Sequence, residues 1–397
     1  MLDAQYPDLV RARPDCVVPA SAAPRPPGLS AGVPQSFCVG PLVIEPALVL
    51  APMSGVTDMA FRRLVRETSP GAVGLVVSEF VSIEGLTRND LRSHRMLRHA
   101  PCEHPISIQI FGAEIDRMAE AAMIVQEAGA DVVDINCGCP VPKVVKRGGG
   151  AELMRRPAHL ERMLRAVRRE LSVPLTIKIR AGWDQASINC VEVAQMAEVA
   201  GAAMITVHGR TRVQLYSGAS DWDLIAAVKQ AVTIPVIGSG DVTSARAACE
   251  RMARSGADGL AIGRGAMENP WIFGQIVADR GGRELRGPTI AERLAVLHRY
   301  RELLDEIYPE KVTAARMRGM GCRTAKGFPG SAALREAITR TRSSEEMAEL
   351  LRRFAEEAAR LPAHEAEPAP GAAGGWAARD PARPASGSLA AQAAPAG

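Results

Sequence analysis

The sequence predicts a closed TIM (β/α)8 barrel followed by a smaller C-terminal all-helical domain. Three observations lead there. Short apolar runs rich in Val and Ile recur eight times, each ending in a polar residue or glycine. Segments of helical period separate them, and strand alternating with helix is the pattern of a parallel sheet. After Pro288 the runs stop, and the chain carries helical period only.

Taken in order, the runs are residues 48–53, 74–79, 106–111, 132–136, 175–180, 203–208, 235–239 and 259–263. Each is too short for a helix, and none alternates polar with apolar, as expected of strands covered on both faces. Residues 114–128 illustrate the helices between them, with Met118, Ala122, Val125 and Gln126 at roughly helical spacing. Eight such units close into a barrel. An open doubly wound sheet is the alternative, but no GxGxxG opens the first helix.

Four regions follow. Residues 1–36, rich in Pro, Ala and Arg, are expected to be a disordered extension, and residues 37–288 the barrel. Residues 289–361 form the helical domain, with helices over 290–308, 312–326 and 331–359, the last broken midway. Residues 362–397 are expected to be a disordered Ala/Pro/Gly-rich tail.

Composition narrows the function classes. Hydrophobic residues at 47% and charged residues at 23% are ordinary for a soluble globular protein. Aromatics at 4% leave little for a base-stacking platform, and a net charge of +4 permits a polyanionic partner without requiring one. The eight cysteines are dispersed, and no pair of CxxC motifs suggests zinc. With no secretory signal and no run of about 18 apolar residues, a cytoplasmic protein with reduced thiols and no membrane span is expected.

In a barrel of this kind the chemistry sits at the carboxyl ends of the strands. Read in order, those ends offer Met53, Glu79, Gln109, Asn136, Lys178, His208, the Gly238-Ser239-Gly240-Asp241 turn and Gly263-Arg264. A purely structural barrel has no reason to gather amide, ammonium, imidazole and guanidinium groups on one rim. The two glycine turns fall on the loops where such barrels hold phosphate, and Arg264 adds a charged donor. An inward ammonium at Lys178 is costly unless it meets an anion. A reduced flavin edge and a Schiff base both satisfy it, and the lysine alone does not choose between them. Cys139, just past the fourth run and ahead of Gly148, Gly149 and Gly150, is placed to act, whereas Cys137 reads as core. A thiol near its ordinary pKa of about 8.5 donates a proton at pH 7, while nearby basic residues could make it a thiolate nucleophile. Both remain open at this level.

Five motifs combine these residues: Leu50-Ala51-Pro52-Met53-Ser54-Gly55-Val56-Thr57-Asp58, Asp134-Ile135-Asn136-Cys137-Gly138-Cys139-Pro140, Thr176-Ile177-Lys178-Ile179-Arg180, Thr206-Val207-His208-Gly209-Arg210-Thr211-Arg212 and Ile262-Gly263-Arg264-Gly265-Ala266. With Lys326-Gly327-Phe328-Pro329-Gly330-Ser331 in the helical part, they resemble the tRNA-dihydrouridine synthase family, its bacterial members above all, over residues 40–345.

The resemblance implies FMN as cofactor, NADPH (or NADH) as reductant and tRNA as partner. Hydride would pass from flavin N5 to C6 of a uracil, and Cys139 would donate the proton to C5. Pro52, Met53 and Ser54 would lie along the isoalloxazine, Gln109 and Lys178 at its polar edge, and His208 between flavin and phosphate. Ser239, Gly240, Asp241, Gly263 and Arg264 would take the ribityl phosphate, and Asn136 the flipped base. Ser239 stands where the family usually has Asn, and serine is shorter. Lys143, Lys146 and Arg147 would contact RNA at the mouth. At helical spacing Arg316 and Arg323 share a face, which predicts a basic ridge for tRNA on the helical domain. The alternatives are an FMN oxidoreductase of a free pyrimidine (dihydroorotate-type) and an RNA-binding protein without catalysis. The first leaves the helical domain unexplained, and intact Cys139, Lys178 and His208 argue against the second.

Overall fold

The strands are short because each crosses a barrel wall only once, and β-branched residues fit its doubly covered surface. A computed structural model describes residues 32–283, 287–326 and 330–359. The two terminal regions expected to be disordered therefore lie almost wholly outside the described residues, as do Gly327, Phe328 and Pro329. An antiparallel ribbon, β1 (Phe37–Val39) and β2 (Leu42–Ile44), precedes the barrel, with Gly40 in its turn at φ +57°. The wall consists of β3 (Leu48–Leu50), β4 (Leu75–Val77), β6 (Ile106–Phe111), β7 (Val132–Cys137), β8 (Leu175–Arg180), β9 (Met204–His208), β10 (Val236–Ser239) and β11 (Gly259–Ile262). All neighbours pair in parallel, and Leu260 opposite Leu48 joins β11 back to β3. The barrel is closed as expected. A further short strand, β5 (Val81–Ser82), pairs with the end of β6 after a break in β4's line.

The helices of the barrel are α1 (Met59–Thr68), α2 (Ile83–Leu86), α3 (Leu91–Arg95), α4 (Ile115–Glu127), α5 (Pro142–Val145), α6 (Pro157–Glu170), α7 (Cys190–Val199), α8 (Trp222–Ala231), α9 (Ala245–Ser255), α10 (Arg264–Glu268) and α11 (Ile272–Arg280). Caps are local: Asp58 accepts from Phe61 N–H at 2.9 Å to start α1, and Asp221 and Ser244 do the same for α8 and α9. Between strand and helix layers lie fully buried Phe61, Ile108, Leu160, Trp222 and Phe273, each contributing on the order of 1.5–3 kcal/mol of apolar burial. Among the described residues no helix is long and apolar enough to cross a membrane, and no group of three or more His, Cys, Asp or Glu could hold a metal ion.

The chain then forms α12 (Ile290–Asp305), α13 (Glu310–Thr324), α14 (Ser331–Arg340) and α15 (Ser344–Ala359). A capping box of Thr289 and Glu292 opens α12. The expected third helix is two helices, separated at Thr341, Arg342 and Ser343.

The joint between the domains corrects one expectation. Phe61 of α1 meets Tyr300 of α12 edge to face at 6.3 Å, and Arg299 pairs with Glu67 at 2.7 Å. Arg316 does not stand on a solvent-facing ridge. It pairs with the buried Asp58 at 2.8 Å, donates to the Gly55 carbonyl at 3.0 Å and stacks 4.7 Å over the Tyr308 ring. Helical spacing placed it on a face but could not say that the face meets the barrel. Arg318 likewise turns to the Thr341 carbonyl. Arg316→Ala should therefore leave Asp58 as an uncompensated buried charge and cost about 3 kcal/mol, whereas Arg299→Ala, at the exposed pair, should cost less than about 1 kcal/mol. Urea-unfolding midpoints of the two variants check this, and equal small shifts would mean that Arg316 is not a fastener.

Candidate active site

Parallel register aligns the polar strand ends: Asn136 lies opposite Lys178, Arg180 opposite His208, and His208 opposite Ser239. They open onto a cavity of about 530 Å³ at the carboxyl rim. Pro52, Met53 and Ser54 line it from the loop after β3, and Asn136 and Cys139 from the end of β7. Lys178 and His208 come from β8 and β9, Ser239, Gly240 and Asp241 from β10, and Gly263 and Arg264 from β11. Arg323 reaches it from α13. Of the expected residues, Gln109, Lys143, Lys146, Arg147 and Arg316 are not in its wall.

Electrostatics distinguishes the groups. Burial pulls Lys178 down to about 8, with Arg180 adding to the effect. Among the described residues its ammonium has no hydrogen bond or ion pair, so the cavity offers it a place but no partner. Burial first, then the charges of Lys178, Arg180, Arg210 and Arg264, holds His208 well below the usual imidazole range. It is neutral at pH 7, and its Nε2 lies 3.5 Å from Arg210 Nη1 as an acceptor.

Asp241 organises the wall formed by the loops after β9, β10 and β11. It has φ +54°, a conformation Asp tolerates better than most residues. Its two oxygens accept from Arg210 at 2.9 and 2.8 Å, from the Ser220 N–H at 2.8 Å and from Arg264 at 3.1 Å. The carboxylate is thus engaged in holding two guanidiniums, and Arg264 extends from it over the exposed ring of Tyr216 at 4.8 Å. Gly240 is required here: at φ +123° a Cβ would stand 2.2 Å from Ser220 Oγ.

Cys139 is 6% exposed, and burial pushes its thiol above the ordinary value, outweighing the opposing pull of the Val141 backbone and of Arg180 and Lys178. A thiol raised in this way favours, of the two states left open by the sequence, the protonated one. Cys137 is fully buried in the core and its thiol is pushed up further. Asn136 faces the cavity, but its amide is already engaged. Its Oδ1 accepts from Gly138 and Cys139 N–H at 3.1 and 2.8 Å, and its Nδ2 donates to Gln109 at 2.8 Å. Gln109 is fully buried beneath the cavity because its amide continues to Asp134 at 2.6 Å. Lys143, Lys146 and Arg147 are exposed on and beside α5, beyond Cys139, and no ion pair occupies them among the described residues.

Two cavity residues, Arg180 and Tyr216, and Arg210 behind the wall were not singled out from the sequence. Arg180 donates to the Gly138, Thr211 and Leu215 carbonyls at 2.9, 2.8 and 2.9 Å, tying the Cys139 loop to the one after β9. Arg180 sits two residues past Lys178, and strand period places both on one face, a signal that was available. Arg210 lies beyond its strand, so periodicity does not reach it. Tyr216 is 56% exposed at the mouth and had no motif to announce it. Because Arg210 is 3% exposed, Asp241→Ala should strand its charge and lower stability by about 3 kcal/mol. Thermal unfolding checks this, and an unchanged midpoint would remove Asp241 from that role.

Comparison with known proteins shows the family. The family model described as dihydrouridine synthase matches residues 49–360. A Synechocystis protein named "Probable tRNA-dihydrouridine synthase 1" is 42% identical over 317 residues, covering 79% of this chain and 87% of its own. A Rhodobacter capsulatus protein named "Probable tRNA-dihydrouridine synthase" is 45% identical, covering 61% and 74%. "tRNA-dihydrouridine synthase B" of Pseudomonas syringae is 44% identical, covering 60% and 70%. With the family model spanning most of the chain, and a barrel rim that gathers the matching motifs, the protein belongs to the dihydrouridine synthase family.

Proposed function

We propose that this protein reduces uridine in tRNA to 5,6-dihydrouridine in the cytoplasm, with FMN as cofactor and NADPH or NADH as reductant. The observation that carries the reading is the Cys139 thiol, its pKa raised by burial, facing the same cavity as Lys178, which has no hydrogen bond or ion pair among the described residues. The residues fit a flavin mononucleotide: Lys178, unpaired among the described residues, would face the electron-rich edge of the ring. Ser239, Gly240, Gly263 and Arg264 surround the phosphate end, with Asp241 holding Arg264 in place. Gln109 supports the wall from below instead of touching the ring. A flavin held there would supply the hydride for C6 of the uracil.

Cys139 gives its proton to C5, and the raised pKa keeps that proton available at neutral pH. Neutral His208 accepts a hydrogen bond from Arg210 and adds no further positive charge. The target base leaves its stack to reach the barrel mouth, at a cost of a few kcal/mol that is least for loop uridines. Lys143, Lys146 and Arg147 on the rim take phosphates, as does Arg323. Arg323 lines both the cavity and an adjoining cleft with Lys311. That cleft favours a polymeric substrate over a free pyrimidine.

Cys139→Ala should keep bound flavin and its reduction by NADPH, yet lose about 10²-fold or more in uridine reduction. Cys137→Ala should keep turnover and cost only about 1–2 kcal/mol through its core cavity. Half-reaction kinetics read both, and equal loss of turnover from the two would sink the acid assignment. Replacing Lys143, Lys146 and Arg147 together with alanine should flatten the salt dependence of tRNA binding by about two to three units, at about 0.7–0.9 per phosphate contact. Filter binding across a salt series measures the slope, and an unaltered slope would put the RNA elsewhere.

A further inference from the structure

A line of buried side chains runs from the barrel interior to the Cys139 loop. Asp134 on β7 accepts from Thr176 Oγ1 at 2.5 Å and, through Oδ2, from Gln109 Nε2 at 2.6 Å. Gln109 Oε1 accepts from Asn136 Nδ2 at 2.8 Å, and Asn136 Oδ1 accepts from the Gly138 and Cys139 N–H groups. All four side chains are buried.

A carboxylate has acceptors only, whereas a carboxamide has one donor end and one acceptor end. Asp134 therefore obliges Gln109 to present its NH2 to it and its oxygen to Asn136. Asn136 must answer with its own NH2, which leaves its oxygen facing the loop. Two backbone N–H groups wait there for that oxygen, so both ends of the line demand the same polarity. Burial raises the pKa of Asp134, but a proton on Oδ1 would leave Oδ2 the acceptor it is. Its carbonyls are held separately: Arg180 donates to Gly138 and Ala151 N–H to Cys139. Among the described residues, Asn136 alone accepts from the two N–H groups. Gly150 backs the turn, since a Cβ there would meet the Cys139 carbonyl at 2.7 Å.

We propose that Asp134 is a positioning residue: through Gln109 and Asn136 it aims the acceptor that fixes the loop and thiol of Cys139 at the cavity. The proposal rests on the reading of Cys139 as proton donor. It predicts a specific pattern of damage and rescue. Asp134→Leu removes the anchor. Asn136→Asp puts acceptors at both ends of Gln109, which has a donor at only one. Adding Asp134→Asn to Asn136→Asp supplies a donor at the buried end and satisfies the line in the opposite sense. Adding Asp134→Leu instead removes the same charge but supplies no donor.

The test is hydrogen-exchange mass spectrometry of the peptide carrying Gly138 and Cys139, beside flavin content and uridine turnover of the holoenzyme. Asp134→Leu and Asn136→Asp should each speed exchange severalfold and slow turnover about tenfold or more with flavin retained. The Asn136→Asp/Asp134→Asn pair should recover both readouts, and the pair with leucine should recover neither. If Asp134→Leu fails to fold, the near-isosteric Asn136→Asp pair still decides. Wild-type exchange in Asn136→Asp, equal recovery with leucine, or altered exchange with unaltered turnover would each overturn the proposal. Full turnover in Cys139→Ala alongside the expected exchange pattern would instead overturn the proton-donor reading and leave the polar line standing.

Discussion

Pairing of β11 with β3 closes the sheet, and closure forces every inward group at the carboxyl ends into one enclosed space. In an open sheet Lys178 and His208 could each turn to solvent. Here Arg180 and His208 stand opposite one another across a strand pair, and Lys178 stands opposite Asn136. Charges brought this close, in a setting of low dielectric, must be compensated or must wait for a ligand. The chemistry of the rim follows from how each charge meets that demand.

Two solutions coexist. Arg210 is paired with Asp241 and further tied to the Gly218 carbonyl, so its charge is structural. Arg180 is likewise fixed by three carbonyls, and its work is to hold loops together. Lys178 receives nothing comparable, and burial moves its pKa downward for that reason. The cavity thus carries more positive than negative charge along the wall formed by β8, β9 and β11. That imbalance calls for an anionic occupant, and it depresses His208 as well. Next to that wall, past the end of β7, burial raises the Cys139 thiol against the opposing pull of Arg180 and Lys178.

Most of the fold was legible because barrel strands are defined by burial on both faces, which leaves a direct mark in the sequence. Residues 106–111 and 175–180 are the strands Ile106–Phe111 and Leu175–Arg180, residue for residue. The break at residues 341–343 lay within a span expected to contain one, though not at a stated place. The rim was legible in the same way, since polar residues ending apolar runs are few. What periodicity could not supply was the destination of long side chains. Gln109 ends up beneath the cavity because Asp134 is there to receive it, and nothing in either segment says that they meet. Arg316 sits on the basic face that helical spacing predicts, yet its partner Asp58 is 258 positions away and belongs to another domain. Spacing gives a face; only packing gives what the face touches.

The Arg316 contact also explains why the helical domain bears on the barrel mouth at all. Gly55 lies on the loop after β3, between two groups that hold it from opposite sides. Its carbonyl accepts from Arg316, and its N–H donates to Glu79. Glu79 is itself buried, and burial together with the nearby Asp58 raises its pKa. The same loop presents Pro52, Met53 and Ser54 to the cavity. One wall of the site is therefore positioned jointly by a barrel carboxyl group and a guanidinium from α13. A displacement of α13 relative to α1 cannot leave that wall where it is, because Arg316 also grips the cap of α1 through Asp58. The helices after Pro288 are in this sense part of what shapes the cavity.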